Sequence, residues 1–304
     1  MIAVMGASGN TGKKIAEGLL KAGESVRALG RSETKLAELK AAGAEVQTGD
    51  AADTTFLTRA FSGAAGVYTL LPTDPTSPDY DAEQDRQGHA VTSAIRESRV
   101  KYVVALSSVG AELDAGTGLL VGLHAQEERL RQLPDTNVML LRPVSFFENF
   151  YNMLPVIKAA GIIPDSYAAD LLVPMVATKD IAEVATVALK NRDWRGLVVR
   201  ELLGPRDLSC KEATRIIGES IGKPDLMYVE TPYADEAKAL VESGLSQSFA
   251  NLYVEMIRAI NEGRVKPSNG RNAANTTSTR FEDFASELAH SYRSFSLESR
   301  SAHK

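Results

Sequence analysis

Ile2-Ala3-Val4-Met5-Gly6-Ala7-Ser8-Gly9-Asn10-Thr11-Gly12 is the stretch that decides the fold. Its first four residues are apolar and read as a strand. Its glycines, spaced by threes, read as a tight turn opening a helix whose Ile15, Leu19 and Leu20 share one side. A second apolar strand, Ser25-Val26-Arg27-Ala28-Leu29, ends at Gly30-Arg31. Strand, glycine turn, helix and strand in this order make a βαβ unit. Such a turn lets the backbone approach a pyrophosphate closely, and it aims a helix N-terminus at the negative charge. Gly6, Ser8, Gly9, Asn10, Thr11 and Gly12 are therefore the expected dinucleotide-binding residues; the plain alternative is an ordinary strand-to-helix turn.

The dinucleotide pattern normally places an acid about 20 residues further on, to hold a ribose 2′-hydroxyl. Arg31 stands in that place. A carboxylate would repel a 2′-phosphate, whereas a guanidinium pairs with it. NADP(H) is thus expected ahead of NAD(H), unless Arg31 is only a solvated strand-end residue. Ser32 and Lys35 lie close enough to add to a phosphate site.

Strand-like and helix-like segments alternate onward. A helix is expected over 33–42, a strand over 44–48, and a helix presenting Phe56, Leu57, Ala60 and Phe61. Val67-Tyr68-Thr69-Leu70-Leu71 is a strand stopped by Pro72, followed by a loop over 73–80. A long helix over 81–98, a strand Tyr102–Leu106, a helix 120–133 and a strand Val138–Leu141 complete the set. Repeated βα units with continuous apolar strands imply an α/β fold, a Rossmann-type doubly wound parallel sheet covered on both faces. Past Arg142-Pro143 the regularity fades into a smaller, partly helical C-terminal part. Short strands are expected near Val173 and Leu197, with Asp180 and Ser209 as helix caps. Phe249, Leu252, Tyr253, Met256, Ile257 and Ile260 form a helical stripe that reads as core or interface. Phe281, Phe284 and Leu288 mark a last helix. The expected division is a dinucleotide domain over 1–150, a substrate-side domain over 151–295 with segments returning to the sheet, and a disordered polar tail over 296–304.

The loops after successive parallel strands share one rim, and ligands bind there. The rim collects residues 6–12, Arg31, Asp50, Leu70, Leu71, Pro72, Ser107, Ser108, Val109 and residues 143–149. Asp50 is placed to accept from an adenine amino group, or else to cap a turn. Leu70, Leu71 and Pro72 are placed to pack on adenosine or nicotinamide. Ser107 sits where many reductases of this architecture keep a catalytic serine. Their usual partner, Tyr-x-x-x-Lys, occurs nowhere in the chain. His124 on the following helix is the candidate acid and substrate contact, a residue type poised near physiological pH. Phe146 and Asn149 are candidates to line a flat substrate pocket, with packing and helix capping as their ordinary roles.

The chain has 304 residues and a net charge of −5, which argues against nucleic acid or an anionic membrane surface as partner. Its one cysteine, Cys210, excludes an intrachain disulfide; a thiolate at a helix start and a small packing residue are its two readings. No apolar run is long enough to span a bilayer, and a cytoplasmic protein without metal is expected.

Gly6–Gly12, Gly30-Arg31, Gly49-Asp50, Leu106-Ser107-Ser108 and Leu141-Arg142-Pro143 through Phe146 and Asn149 together resemble the NmrA-like family, atypical short-chain dehydrogenase/reductase-fold proteins. The resemblance covers about residues 1–240. It implies a Rossmann domain with pyrophosphate on the 6–12 turn and the 2′-phosphate at Arg31. It further implies adenine near Asp50, ribose and nicotinamide near 70–72 and 107–109, and substrate facing His124, Phe146 and Asn149. The family includes NAD(P)H-dependent quinone reductases, plant reductases of phenylpropanoid ethers, and regulators that bind dinucleotide. The plant enzymes carry a lysine where this chain has His124-Ala125-Gln126. Two functions follow: an NADPH-preferring oxidoreductase of a quinone-like or other small carbonyl acceptor, and a non-catalytic NADP(H) sensor acting on a protein partner. A homodimer and a regulatory partner both stay open.

Overall fold

The computed structural model describes residues 1–301, with side chains to residue 295. In chain order the first half contains β1 (Ile2–Val4), α1 (Gly12–Lys21), β2 (Val26–Gly30), α2 (Ala37–Ala41), β3 (Glu45–Thr48), α3 (Thr54–Phe61), β4 (Gly66–Thr69), α4 (Tyr80–Ser98), β5 (Tyr102–Leu106), α5 (Leu120–Arg131) and β6 (Asn137–Pro143). Then come β7 (Ser145–Phe146), α6 (Leu154–Ala160), β8 (Ile162–Asp165), β9 (Val173–Val176), α7 (Thr178–Asn191), β10 (Leu197–Leu202), β11 (Asp207–Leu208), α8 (Cys210–Ile221), β12 (Met227–Glu230), α9 (Tyr233–Glu242), α10 (Gln247–Asn261) and α11 (Phe281–Ser301). The tail expected over 296–304 falls where side chains are not described, and 302–304 lie outside the described residues. No helix among the described residues is long and apolar enough to cross a membrane.

Seven parallel strands form the main sheet in the order β10-β6-β5-β4-β1-β2-β3. Alternate residues along each strand feed opposite layers, as the pleat requires. Val4, Ala28, Tyr68, Val104 and Leu141 pack with Ile15, Leu19, Ile181, Ala185 and Leu189 of α1 and α7. Ala3, Leu29, Val67, Val103 and Leu140 pack with Phe56, Leu57, Phe61, Val91, Ile95 and Leu130 of α3, α4 and α5. Both faces of the central strands are thus dry, which explains why these strands are mostly apolar. β10 and α7 return to this sheet from the second half of the chain.

The second half builds its own layer. Two small sheets, β11-β9-β7 and β12-β8, pack with α6, α8 and α11. Phe147 is its anchor, edge-on to Phe281 at 5.0 Å between ring centroids and fully enclosed. Phe147 is therefore core, whereas its neighbour Phe146 is only partly buried. Expected caps divide similarly. Ser209 caps α8, its hydroxyl accepting from the Glu212 amide at 3.1 Å. Asp180 does not cap α7, which begins after Ala177; it is buried and instead accepts from the amide and hydroxyl of Thr279, tying α7 to the segment before α11. Asn149 caps nothing either, lying within a 3₁₀ stretch over Phe147–Met153.

One buried ion pair joins the sheet to its cover. Arg142 at the end of β6 donates to Glu127 of α5 from Nε (2.8 Å) and from a terminal nitrogen (2.5 Å), and to Glu112 at 2.9 Å. Ser107 at the end of β5 donates to the same Glu127 at 2.6 Å. Burial raises the cost of the Glu127 charge, but the hydrogen bonds from Arg142 and Ser107 outweigh it and hold the carboxyl below the usual glutamate range. The pair therefore contributes stability above that range and loses it as pH falls through it. Removing one partner strands a buried charge, which costs about 3–5 kcal/mol. Arg142→Met should lower unfolding free energy in urea by that order, and adding Glu127→Gln should restore most of it.

Candidate functional site

Gly6 has φ +60°, a left-handed conformation, and a Cβ there would come within 2.8 Å of Leu70. A Cβ on Gly12 would stand 2.2 Å from the Gly6 carbonyl oxygen. Only glycine lets α1 start this close to β1. The Gly9 amide donates back to the Gly6 carbonyl at 2.8 Å, closing the turn. Tyr68 of β4, fully buried, donates to the Thr11 hydroxyl at 2.9 Å and pins the turn to the sheet. In the first turn of α1 the Lys13 and Ile15 amides donate to the Gly9 and Thr11 carbonyls at 3.1 and 2.9 Å, and the helix N-terminus opens on the space in front of the turn.

That space is a cleft of about 990 Å³ along the carboxyl ends of the strands. Gly6, Ser8, Gly9, Asn10 and Thr11 form its middle, with Leu70, Pro72 and Phe146 as apolar walls. Arg31, Asp50, Asp74 and Arg86 form one end. The turn in front of α1 is a cradle that a Cβ would fill, and the cleft before it is long and mixed in polarity. These residues fit a dinucleotide.

At the charged end, Arg31 makes no ion pair within 4 Å among the described residues, so its guanidinium is available. Asp74 is held below the usual carboxylate range by hydrogen bonds from Thr76, with the charge of Arg31 adding to the effect. Asp50 accepts from the Ala52 amide at 2.9 Å, the turn-capping part expected of it, and its side chain also lines the cleft. Arg86 of α4 stands 3.9 Å from Asp50 and 2.7 Å from Glu83. Sequence reasoning passed over Arg86 because a charged residue on a long helix looks like solvated surface. It also passed over Lys14, which donates to the Asn10 carbonyl (3.1 Å) and to Thr178 (3.0 Å), while Glu148 accepts from the Thr178 amide. These contacts fasten the glycine turn to the start of α7.

Several candidates sit away from the cleft wall. Leu71 is buried. Val109 is buried, its amide donating to the Pro143 carbonyl. The Ser108 hydroxyl donates to the Val109 carbonyl at 2.9 Å. Ser107, as described, is spent on Glu127. His124 directs Nδ1 at the Ala111 carbonyl, 2.9 Å away; a carbonyl only accepts, so Nδ1 carries a proton. Asn149 is exposed, with its amide 3.4 Å from the Ser145 hydroxyl. Cys210 is buried at the start of α8, and burial pushes its thiol up to about 12, which removes thiolate chemistry at neutral pH.

Known proteins share this arrangement. A curated relative from Streptomyces griseus, (4-alkanoyl-5-oxo-2,5-dihydrofuran-3-yl)methyl phosphate reductase, is 30% identical over 226 residues, 74% of this chain and 75% of that one. Quinone oxidoreductase 2 of Escherichia coli is 27% identical over 259 residues, 84% of this chain and 86% of that one. The crystal structure of the Escherichia coli NADPH-dependent quinone oxidoreductase QOR2 with NADPH aligns at TM-score 0.77 and 24% identity, over 95% of this chain and 99% of that chain. NmrA, a negative transcriptional regulator solved with NADP, aligns at TM-score 0.66 and 14% identity, over 94% and 90%. The sequence model of the NmrA-like family matches residues 1–293, and the chain belongs to that family.

Proposed function

We propose that the protein is an NAD(P)H-dependent oxidoreductase that prefers NADPH and reduces a quinone-like or other small carbonyl acceptor. The observation that carries this reading is the glycine cradle opening on a long cleft with an available guanidinium at one end and aromatic Phe146 inside it. The two curated relatives are named as reductases of oxygenated electrophiles, which supports the same class.

The chain's own groups divide the work. The turn amides and the N-terminus of α1 hold the pyrophosphate, and Arg31 pairs with the 2′-phosphate. Leu70, Pro72 and Phe146 exclude water beside the reacting end. A bound nicotinamide supplies the hydride. A quinone is already electrophilic, so alignment against that wall does most of what the reaction needs. Ser107 and Nδ1 of His124 are both engaged by other protein groups, which leaves His124 Nε2 or water as the nearest source of the completing proton in this part of the site.

A second reading, a redox sensor that binds NADP(H) without turnover, draws support from that same shortage of a free proton donor and from the likeness to NmrA in fold. The two separate in one assay. Purified protein with NADPH and a panel of small quinones should oxidise NADPH, and NADH more weakly. Tight cofactor binding with no turnover across the panel would favour the sensor. Arg31→Glu should weaken NADPH by roughly 10- to 100-fold and NADH by much less, the scale of a charge-assisted hydrogen bond. Titration calorimetry with both cofactors checks this, and equal losses would remove Arg31 from 2′-phosphate recognition.

A further inference from the structure

The first turns of α4 wall the charged end of the cleft. Glu83, Arg86 and Gln87 line it there, together with Asp50 and Phe56. The helix is fixed to the cleft rim from its buried side: Gln84, 2% exposed, donates its side-chain amide to the Pro72 carbonyl at 3.0 Å. Below, Phe56 lies hard against the backbone just past β3, where a Cβ on Gly49 would stand 2.6 Å from its ring.

Glu83, Arg86 and Gln87 form a run of hydrogen bonds with a fixed direction. Arg86 donates from Nε (3.1 Å) and a terminal nitrogen (2.7 Å) to one oxygen of Glu83. Gln87 donates from Nε2 to the other oxygen at 2.7 Å. Gln87 is 4% exposed, and its Oε1 is enclosed without a hydrogen-bond partner. Among the described residues' enclosed side-chain atoms that lack a partner, this is the one that belongs to a residue lining the cleft. A carboxylate only accepts, so Glu83 takes the donating end of the Gln87 amide and leaves the accepting end over. Flipping the amide would set Oε1 against the Glu83 carboxylate, oxygen to oxygen. Gln87 is therefore a committed acceptor, and a buried acceptor without a donor carries a cost that a ligand's donor removes.

Asp50, the residue that the family resemblance sets near adenine, is less suited to that contact. Its side chain is 61% exposed; one oxygen accepts from the Ala52 amide at 2.9 Å and the other faces Arg86 at 3.9 Å. A solvated carboxylate gains little when it exchanges water for an amino group. Sheltered Oε1 has no water to give up, and a hydrogen bond formed there is stronger.

We propose that Gln87 reads the base of the dinucleotide, its Oε1 accepting from the exocyclic amino group of adenine, and that Glu83 is the positioning residue that holds the Gln87 amide in the accepting sense. This rests on the NADP(H) binding that underlies the function proposed above. The last side-chain torsion of glutamine is broad, so Oε1 turns toward the cleft at little cost while Nε2 stays with Glu83. Adenine brings a donor to this point. Hypoxanthine brings a carbonyl, which sets two acceptors face to face. Gln87 thus selects by the base, as Arg31 selects by the 2′-phosphate at the same end of the cleft.

Titration calorimetry on the full chain compares NADP+ with nicotinamide hypoxanthine dinucleotide phosphate, which differs by the amino group. Wild type should bind NADP+ about 10- to 100-fold more tightly, the scale of leaving a buried acceptor unmet. Gln87→Met, of similar length, should bring the two within about threefold by weakening NADP+. Glu83→Gln should also narrow the gap, here by tightening the hypoxanthine cofactor, because an amide in place of the carboxylate frees Gln87 to turn Nε2 to the cleft. A merely structural role for Glu83 would weaken both cofactors together and would remove it as the positioning residue. Asp50→Asn should keep the wild-type ratio. Should Gln87→Met misfold in a circular dichroism melt, the wild-type ratio and Glu83→Gln carry the test. A wild-type ratio below three, a ratio kept in Gln87→Met, or a ratio lost in Asp50→Asn overturns the assignment alone. A protein that binds neither dinucleotide overturns the cofactor reading, and this assignment with it. Quinone turnover does not enter, so a failure of the reductase reading is told apart from a failure here.

Discussion

A guanidinium and a carboxylate sealed between sheet and helix must be paired, and the Arg142–Glu127 pair is the constraint around which the strand ends β5 and β6 are arranged. Glu127 collects Ser107 from β5 and Arg142 from β6, while Arg142 reaches on to Glu112 in the loop between β5 and α5. Three neighbouring chain segments are fixed by one charge pair. The position where related architectures keep a reacting hydroxyl is thereby turned to structural use.

The two halves of the chain share the cleft through fastenings rather than through one continuous core. Lys14, Glu148 and Thr178 clamp the glycine turn to α7, and Asp180 in the same first turn holds Thr279. α7 therefore belongs to both halves: its apolar side covers the main sheet, while its polar first turn receives the second layer.

The main sheet was legible because its central strands are buried on both faces and read as apolar runs, such as Tyr102–Leu106. The glycine turn, Arg31, Asp50, Leu70, Pro72 and Phe146 were legible because strand ends in this topology share one rim. What was hidden depended on partners far away in sequence. Nothing local to Ser107 announces Glu127, and nothing local to Glu127 announces Arg142. β8 and β12 pair Ile162–Asp165 with Met227–Glu230, and neither is long or apolar enough to signal a strand alone. The α10 stripe was read correctly as helical, but its pattern could not separate Leu252 from Tyr253, whose phenol has a buried acid to meet. Arg86 was hidden for the opposite reason: charge on a helix surface carries no sign of the cleft it borders.

β10 completes the main sheet beside β6, yet residues 144–196 lie between them. Its pairing is parallel, so the chain must travel the whole length of the sheet and come back before the edge can close. That closure, like the β1–β4 pairing across residues 5–65, carries a loop entropy, and nonlocal parallel pairing of this kind is slow to form. Until it forms, the flank of β6 is an open row of unpaired backbone groups, the kind of edge on which other chains can aggregate. The intervening segment contains β7, α6, β8, β9 and α7, so the last strand of the sheet arrives together with the first part of the second layer. A chain interrupted between β6 and β10 would therefore present the flank of β6 as an exposed sheet edge.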